Sequence, residues 1–431
     1  MHPIAMSRWR ATRRLRVLLM LVLPLVLLAC GDGADDDAPG SVTSIRFWHF
    51  QSEPGQRKAL QERIAQFEKE NPSFKVDLQE LTWGEGKAKL LAAFSSGTAP
   101  DVVELGSDWV AQFSAAGVLA DQKEMPGDSI GRFSDVLSAP GRWKTGIYAW
   151  PWVADTRVLF VNTGMLASVG LDTTARDTLW TDVILRAERL VKPPDRYGFG
   201  ANGSDQHRLY KKILPFFWSN NGDVLDADGR PVINSTQNVA ALETYLSLAR
   251  AGFIDNQKGL DQMFVAGKIG YWISGPWLVE RITRESPSLR YRVEPLPGFP
   301  GATPYSFAGG EDLAINAESR VKDAAKRLIT FLTSPAQALA FAKALPGGTT
   351  PADHSVATDP FLQSQGRKVF TEQLRYARMT PVHPQWLEIE EIIEFEVASA
   401  LTGEKDARAA LDAAQVRIQQ LLGLAPDEPA G

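Results

Sequence analysis

With 431 residues, 44% apolar and 23% charged, the chain has material for two or three hydrophobic cores and falls outside the disordered and fibrous classes. A formal net charge of −5 leaves no basic surface for a nucleic-acid partner. Its single cysteine, Cys30, excludes an internal disulfide, and five scattered histidines offer no zinc spacing, so neither metal nor cofactor is expected.

The first thirty residues differ in kind. Arg8, Arg10, Arg13, Arg14 and Arg16 stand without an acid ahead of the apolar run 17–28, which only Pro24 interrupts. A charged head, an apolar span of about a dozen residues and a small residue before the cut describe an export signal; a spanning helix needs about twenty. Leu27-Leu28-Ala29-Cys30 resembles the bacterial lipobox, in which the cysteine is lipidated and becomes the new N-terminus. The Arg13-Arg14 pair leaves general and twin-arginine export both open. Removing residues 1–29 takes five arginines and no acid, moving the formal charge from −5 to −10. An acidic body does not hug anionic lipid, so membrane attachment is expected through the Cys30 anchor alone, with residues 30–44 as a flexible linker.

The body opens on a strand over 45–50, rich in aromatics. A helix follows with Leu60, Ile64 and Phe67 at helical spacing, ended by Asn71-Pro72. Val76 and Leu78 mark a second strand that ends near Thr82-Trp83, and a helix over 87–96 closes on Gly97. Residues 101–105 form a third strand, and Gly106-Ser107-Asp108 opens a helix carrying Val110 and Phe113. This βαβαβ rhythm predicts a doubly wound, mainly parallel sheet, with ligands gathered at the carboxyl ends of the strands: residues 51–53, Thr82-Trp83 and 105–109.

Residues 148–162 set two tryptophans and a carboxylate before a β-branched and aromatic run. Pro151 is expected to stop any strand to its left, leaving a strand over 157–161 closed by Asn162-Thr163-Gly164. The segment reads as a passage between lobes, with Trp150, Trp152 and Asp155 facing the cleft. Further on, a helix carries Val183, Ile184, Ala187 and Leu190, another runs from Thr236 to Gly252, and residues 269–273 form a strand. Ser274-Gly275-Pro276-Trp277 turns into a new helix, with proline where its missing donor costs nothing. Residues 309–315 read as a second crossing and 347–351 as a third hinge, ahead of two long helices over 386–401 and 406–422. Gly198 to Gly203 matches the dinucleotide pattern by letter only, because Pro193-Pro194 leaves no room for the strand that must precede it.

Several stretches taken together carry a specific likeness. They are residues 96–101 (Ser-Gly-Thr-Ala-Pro-Asp), 264–269 (Phe-Val-Ala-Gly-Lys-Ile), Ser274 to Trp277, Gly309-Gly310-Glu311 and 332–336 (Leu-Thr-Ser-Pro-Ala). In this order they resemble the extracellular solute-binding proteins of ABC importers, in the sugar-binding branch that contains maltose-binding protein. The resemblance implies a two-lobed, periplasmic-binding-protein type II-like α/β fold with a hinged cleft. It also implies a monomeric, non-catalytic lipoprotein of the periplasm or cell surface that delivers a sugar to membrane permease subunits. Its divisions would be a signal at 1–29, a linker at 30–44, a first lobe at 45–150 and a second at 151–308. A return at 309–348, second-lobe helices at 349–422 and a tail at 423–431 complete the chain. By position, Ser52, Glu53, Asp108 and Asp155 fall where that family places polar sugar contacts, and Trp277 and Trp386 match its stacking aromatics. Ser52-Glu53 replaces an acid and a base of the maltose-binding protein, and Trp109 a basic residue, which argues against maltodextrin.

A sugar offers flat C–H faces and a rim of hydroxyls, so its site needs aromatic platforms and carboxylate acceptors. The expected contact set is therefore Ser52, Glu53, Trp83, Asp108, Trp109, Trp150, Trp152, Asp155, Trp218, Trp277, Gly309, Gly310, Glu311 and Trp386. Two other readings use the same residue types: a solute-binding protein for a polyamine, and a secreted glycosidase with Asp108 and Asp155 as its carboxylate pair.

Overall fold

The computed structural model describes residues 42–125, 130–203, 205–345, 349–364 and 366–424; the export signal and Cys30 lie outside the described residues. β1 (Thr43–His49) lies between β2 (Phe74–Glu80) and β3 (Val102–Gly106), parallel to both. The crossover helix Pro54–Glu70 turns Ala59, Leu60, Ile64 and Phe67 inward and ends at Asn71, whose N–H donates to the Phe67 carbonyl. Its apolar spacing is the one the sequence predicts, and the face it buries packs on Ile45 and Phe47 of β1.

A separate two-stranded hairpin, β4 (Arg142–Trp143) and β5 (Gly146–Ile147), leads into β6 (Ala149–Thr156), which joins the first sheet. After Arg157 the chain enters a second sheet built from β7 (Val158–Val161), β8 (Tyr197–Asn202), β9 (Gly252–Asp255), β10 (Ile269–Ser274) and β11 (Arg292–Glu294). Its order is β11-β7-β10-β8-β9. β12 (Ser306–Ile315) then returns to the first sheet between β6 and β3, where β13 (Thr350–Pro351) pairs with β6 and β14 (Ala377–Arg378) with β12. Parallel pairing joins β2-β1-β3, β9-β8-β10 and β12-β14, while the other pairs around the crossings are antiparallel, so the sheets are mixed where a mainly parallel pattern is expected. A strand that crosses between lobes and comes back must run against its partner.

Pro151 does not stop a strand. β6 runs through it, and Pro151 lies opposite Asp312 where the β6–β12 pairing slips at Glu311/Asp312, an irregularity that accommodates a residue without an N–H. The first sheet therefore keeps the chain to Thr156, past 150, and takes it back with β12 at Ser306, ahead of 309. Both crossings are pinned to each other: the Thr156 hydroxyl donates to the Phe307 carbonyl at 2.6 Å, and the Ser306 hydroxyl donates to the Arg157 carbonyl at 2.6 Å. The third passage falls later than expected at 349, because Asp353 still pairs with Arg132 at 2.9 Å and Asp359 with Lys343 at 3.0 Å, both in the first lobe. Phe370 already belongs to the second lobe's core with Phe160 and Phe264. Gly198 to Gly203 includes most of β8 and forms no phosphate-binding turn.

Candidate functional site

A cavity opens between the lobes, with about 610 Å³ of empty volume, its mouth included. The first lobe supplies Phe50 and Gln51 from the end of β1, Gln56 from the next helix, Trp83 from the end of β2, Asp155 from β6 and Glu311 from β12. The second lobe closes it with Pro276, Trp277 and Glu280 at the start of helix Trp277–Glu285. Of the three strand ends where ligands are expected, Gln51 and Trp83 line this cavity, while Trp109 of the third packs against Phe50 and Trp83.

Its aromatic walls are braced. Trp83 stacks on Phe50 with centroids 4.3 Å apart, and Trp109 meets both edge-on at 5.6 and 5.5 Å. On the opposite wall the Trp277 indole N–H donates to Asp261 at 2.9 Å while the Arg157 guanidinium lies 4.8 Å from its ring centroid. Asp261 is itself buried and fixed by Trp272, Ser274 and Gln257. A Cβ on Gly275 would sit 2.0 Å from Trp277 Cζ3, so the glycine of the Ser-Gly-Pro-Trp turn is what lets the ring fold back.

The polar walls follow from strand register. Glu311 pairs with Gly106 on β3 and Val153 on β6, and Glu104 and Asp155 each lie two residues from those partners. The pleat therefore sets Glu104, Glu311 and Asp155 on one face of three adjacent strands. Glu104 is fully buried and accepts from the Phe50 N–H at 2.9 Å and the Gln51 amide at 2.8 Å, which aims Gln51; burial pushes its carboxyl up to about 7. Burial, with Glu104 and Asp155 as neighbours, also raises Glu311 well above the carboxylate range, and its side chain makes no hydrogen bond to another described residue. Asp155 is ion-paired to Arg157 at 2.5 Å.

Beside the cavity, a second polar group ties the lobes together. Tyr210 donates to Asp108 at 3.0 Å and Gln112 to Glu388 at 3.2 Å, while His207 contacts Glu390. Glu394 accepts the backbone N–H groups of His207, Arg208 and Tyr210, and burial raises it to about 7.

Of the expected contact residues, Trp83, Asp155, Trp277 and Glu311 come together around the cavity. Gly309 and Gly310 lie behind it, where a Cβ on Gly310 would stand 1.8 Å from the Val153 carbonyl oxygen. Asp108, Trp109 and Trp386 belong to the neighbouring interlobe contact, Trp386 meeting Tyr210 edge-on at 5.9 Å. Others are elsewhere. Trp150 packs against Phe133 at 5.8 Å and Trp152 stacks on Phe341 at 4.8 Å, both in the first lobe's core, because β6 continues through Pro151 and directs them into the helical layer. Trp218 is buried in the second lobe with its N–H on Asp223 at 3.3 Å. Glu53 is exposed and caps the first helix, its N–H donating to Gln56 at 3.1 Å, and the Ser52 carbonyl accepts from Arg57 at 2.9 Å. Phe50, Gln56 and Glu280 line the cavity outside the expected set, and Gln51 is expected only as part of the strand end 51–53; Glu280, three residues after Trp277, shares its helix face, and that spacing was readable.

The chain matches the family model of the bacterial extracellular solute-binding proteins over residues 52–339. The galactooligosaccharide-binding protein of Bacillus subtilis is 24% identical over 92% of this chain and 94% of its own length. The diacetylchitobiose-binding protein DasA of Streptomyces coelicolor is 23% identical over 89% and 92%. In fold, the GacH receptor of Streptomyces glaucescens superposes with a TM-score of 0.80 at 23% identity, covering 89% of this chain and 99% of the receptor.

Proposed function

The chain belongs to the bacterial extracellular solute-binding proteins, and from that premise we propose that it captures a saccharide between its lobes and presents it to the membrane permease of an ABC importer. The observation that carries the reading is the pairing of Trp83 and Trp277, one from each lobe, across a cavity that also holds Gln51, Asp155 and Glu311. A sugar ring laid on either indole recovers apolar area, and each hydroxyl donated to a carboxylate adds roughly 1.5–3 kcal/mol. Because the walls belong to different lobes, a solute touching both favours the closed arrangement over any open one; it shifts that equilibrium by its differential affinity. The relatives named for galactooligosaccharide and diacetylchitobiose support a saccharide as the solute.

The carboxylates favour binding over hydrolysis. Asp108 is engaged by Tyr210 outside the cavity lining and Asp155 by Arg157, so the two do not flank one bond as a glycosidase pair must. Lipidation of Cys30 would hold the protein, as a monomer, beside its permease.

A thermal-shift screen of residues 31–431 against mono-, di- and oligosaccharides, polyamines and amino acids tests the assignment. A micromolar solute at millimolar concentration stabilises the fold by about 4 kcal/mol. A shift with one saccharide group is the expected result; a shift with polyamines alone would replace the solute class.

A further inference from the structure

We propose that the saccharide taken by this cleft carries a protonated amine, seated between Glu311 and Asp155 with its ring against Trp83 or Trp277. This rests on the saccharide reading above and narrows it to one charge class. Three observations carry it. Glu311, Asp155 and Glu280 line the cavity, and no lysine, arginine or histidine is among its described lining residues. Arg157, beside the cavity, is committed, with its guanidinium paired to Asp155 and laid over Trp277. The Glu311 side chain makes no hydrogen bond to a described residue, although the residue is part-buried and lines the solute space.

Geometry turns these acids into a receptor. Glu311 and Asp155 are diagonal neighbours on β12 and β6, a relation that sets side chains about 7–8 Å apart at their bases, so one ammonium between them can donate to both. Glu104 stands on the same face one strand further on and adds to the negative field. A neutral hydroxyl at that point makes only neutral hydrogen bonds, whereas an ammonium makes charge-assisted ones, about twice as strong.

The groups that act on Glu311 are Glu104 from β3, Asp155 from β6, Asp312 from its own strand and Lys211 from helix Tyr210–Ser219. Burial and the three acids hold its carboxyl protonated well above the usual range in the empty cleft, against the opposing charge of Lys211. Arrival of an ammonium favours the ionised form, so that proton leaves to solvent as the amine binds.

Calorimetric titration of the exported protein with matched pairs tests this: glucosamine against glucose, galactosamine against galactose, and the fully deacetylated chitosan disaccharide against cellobiose. Each pair differs in one substituent per ring. The expected result is that at least one amine member binds roughly tenfold or more tighter than its neutral partner. Its binding heat should vary with the ionisation heat of the buffer, reporting proton release, and Glu311→Gln should narrow the ratio and abolish the release. Should Glu311→Gln fail to fold, Asp155→Asn and the wild-type pairs decide the question. Neutral sugars binding as tightly as their amines would overturn the amine and leave the saccharide reading standing. Silence from every sugar, neutral and amine, would overturn both.

Discussion

Trp152 and Trp277 look alike in the sequence, each beside a proline near the end of an element, yet one is core and the other lines the cavity. The difference lies in what their elements pack against. Trp152 projects into the helical layer onto Phe341, whereas Trp277 begins a helix that faces the other lobe. Replacing Trp152 by alanine should therefore cost about 3–5 kcal/mol of stability, read by chemical denaturation, while the affinity of the folded fraction for its saccharide stays within a few tenths of a kcal/mol. Loss of affinity without loss of stability would return Trp152 to the cavity. Chemistry-bearing residue types were legible from the sequence, and so was the strand-end location of Trp83. Which tryptophans are platforms was not, because that depends on the course of a strand through Pro151.

Elements explain why the acids assemble. Glu104, Asp155 and Glu311 are far apart in sequence, and only the pairing of β3, β12 and β6 brings them to one face. The βαβαβ rhythm predicted the first three strands and their helices; it carried no information about how the returning strand would register. That register depends on close backbone approach at Gly310. A methyl group there would stand 1.8 Å from the Val153 carbonyl oxygen, so Gly310→Ala should part β6 from β12 locally and destabilise the protein by about 1–3 kcal/mol. A melting temperature equal to wild type would show that the crossing tolerates a wider gap. The first sheet keeps the chain past 150 for a related reason: the crossing strands serve it almost to the point where they leave it.

At the scale of the whole molecule, burial raises several carboxyls: Glu104 and Glu394 to about 7, Asp312 to about 8, and Glu311 and Glu390 well above the usual carboxylate range. A folded-state pKa above the unfolded value gives stability that is full at low pH and is lost as pH rises through the folded value. His49, lowered by burial to about 4, acts oppositely, but only between about 4 and its ordinary 6.5. From about pH 6.5 to 8 these five acids act without His49 and outweigh Lys212, which burial lowers well below its ordinary value and which works against them, so stability should fall as pH rises, by roughly a few kcal/mol in all. Denaturant midpoints that climb across that window would contradict the buried acid cluster. Export belongs to this scale too. Cys30→Ser should abolish incorporation of radiolabelled palmitate and release the protein from the membrane fraction; a variant that stays membrane-bound would remove the lipid anchor from the account.

The most direct test is calorimetric titration of the double variant Trp83→Ala/Trp277→Ala with whichever saccharide stabilises the wild type, because it removes one platform from each lobe at once. Truncating aromatic anchors at binding sites costs about 1–3 kcal/mol each, so affinity should fall by roughly a hundredfold while the far-ultraviolet spectrum stays native. A folded double variant that keeps wild-type affinity would mean that the solute is held somewhere other than the cleft between the lobes.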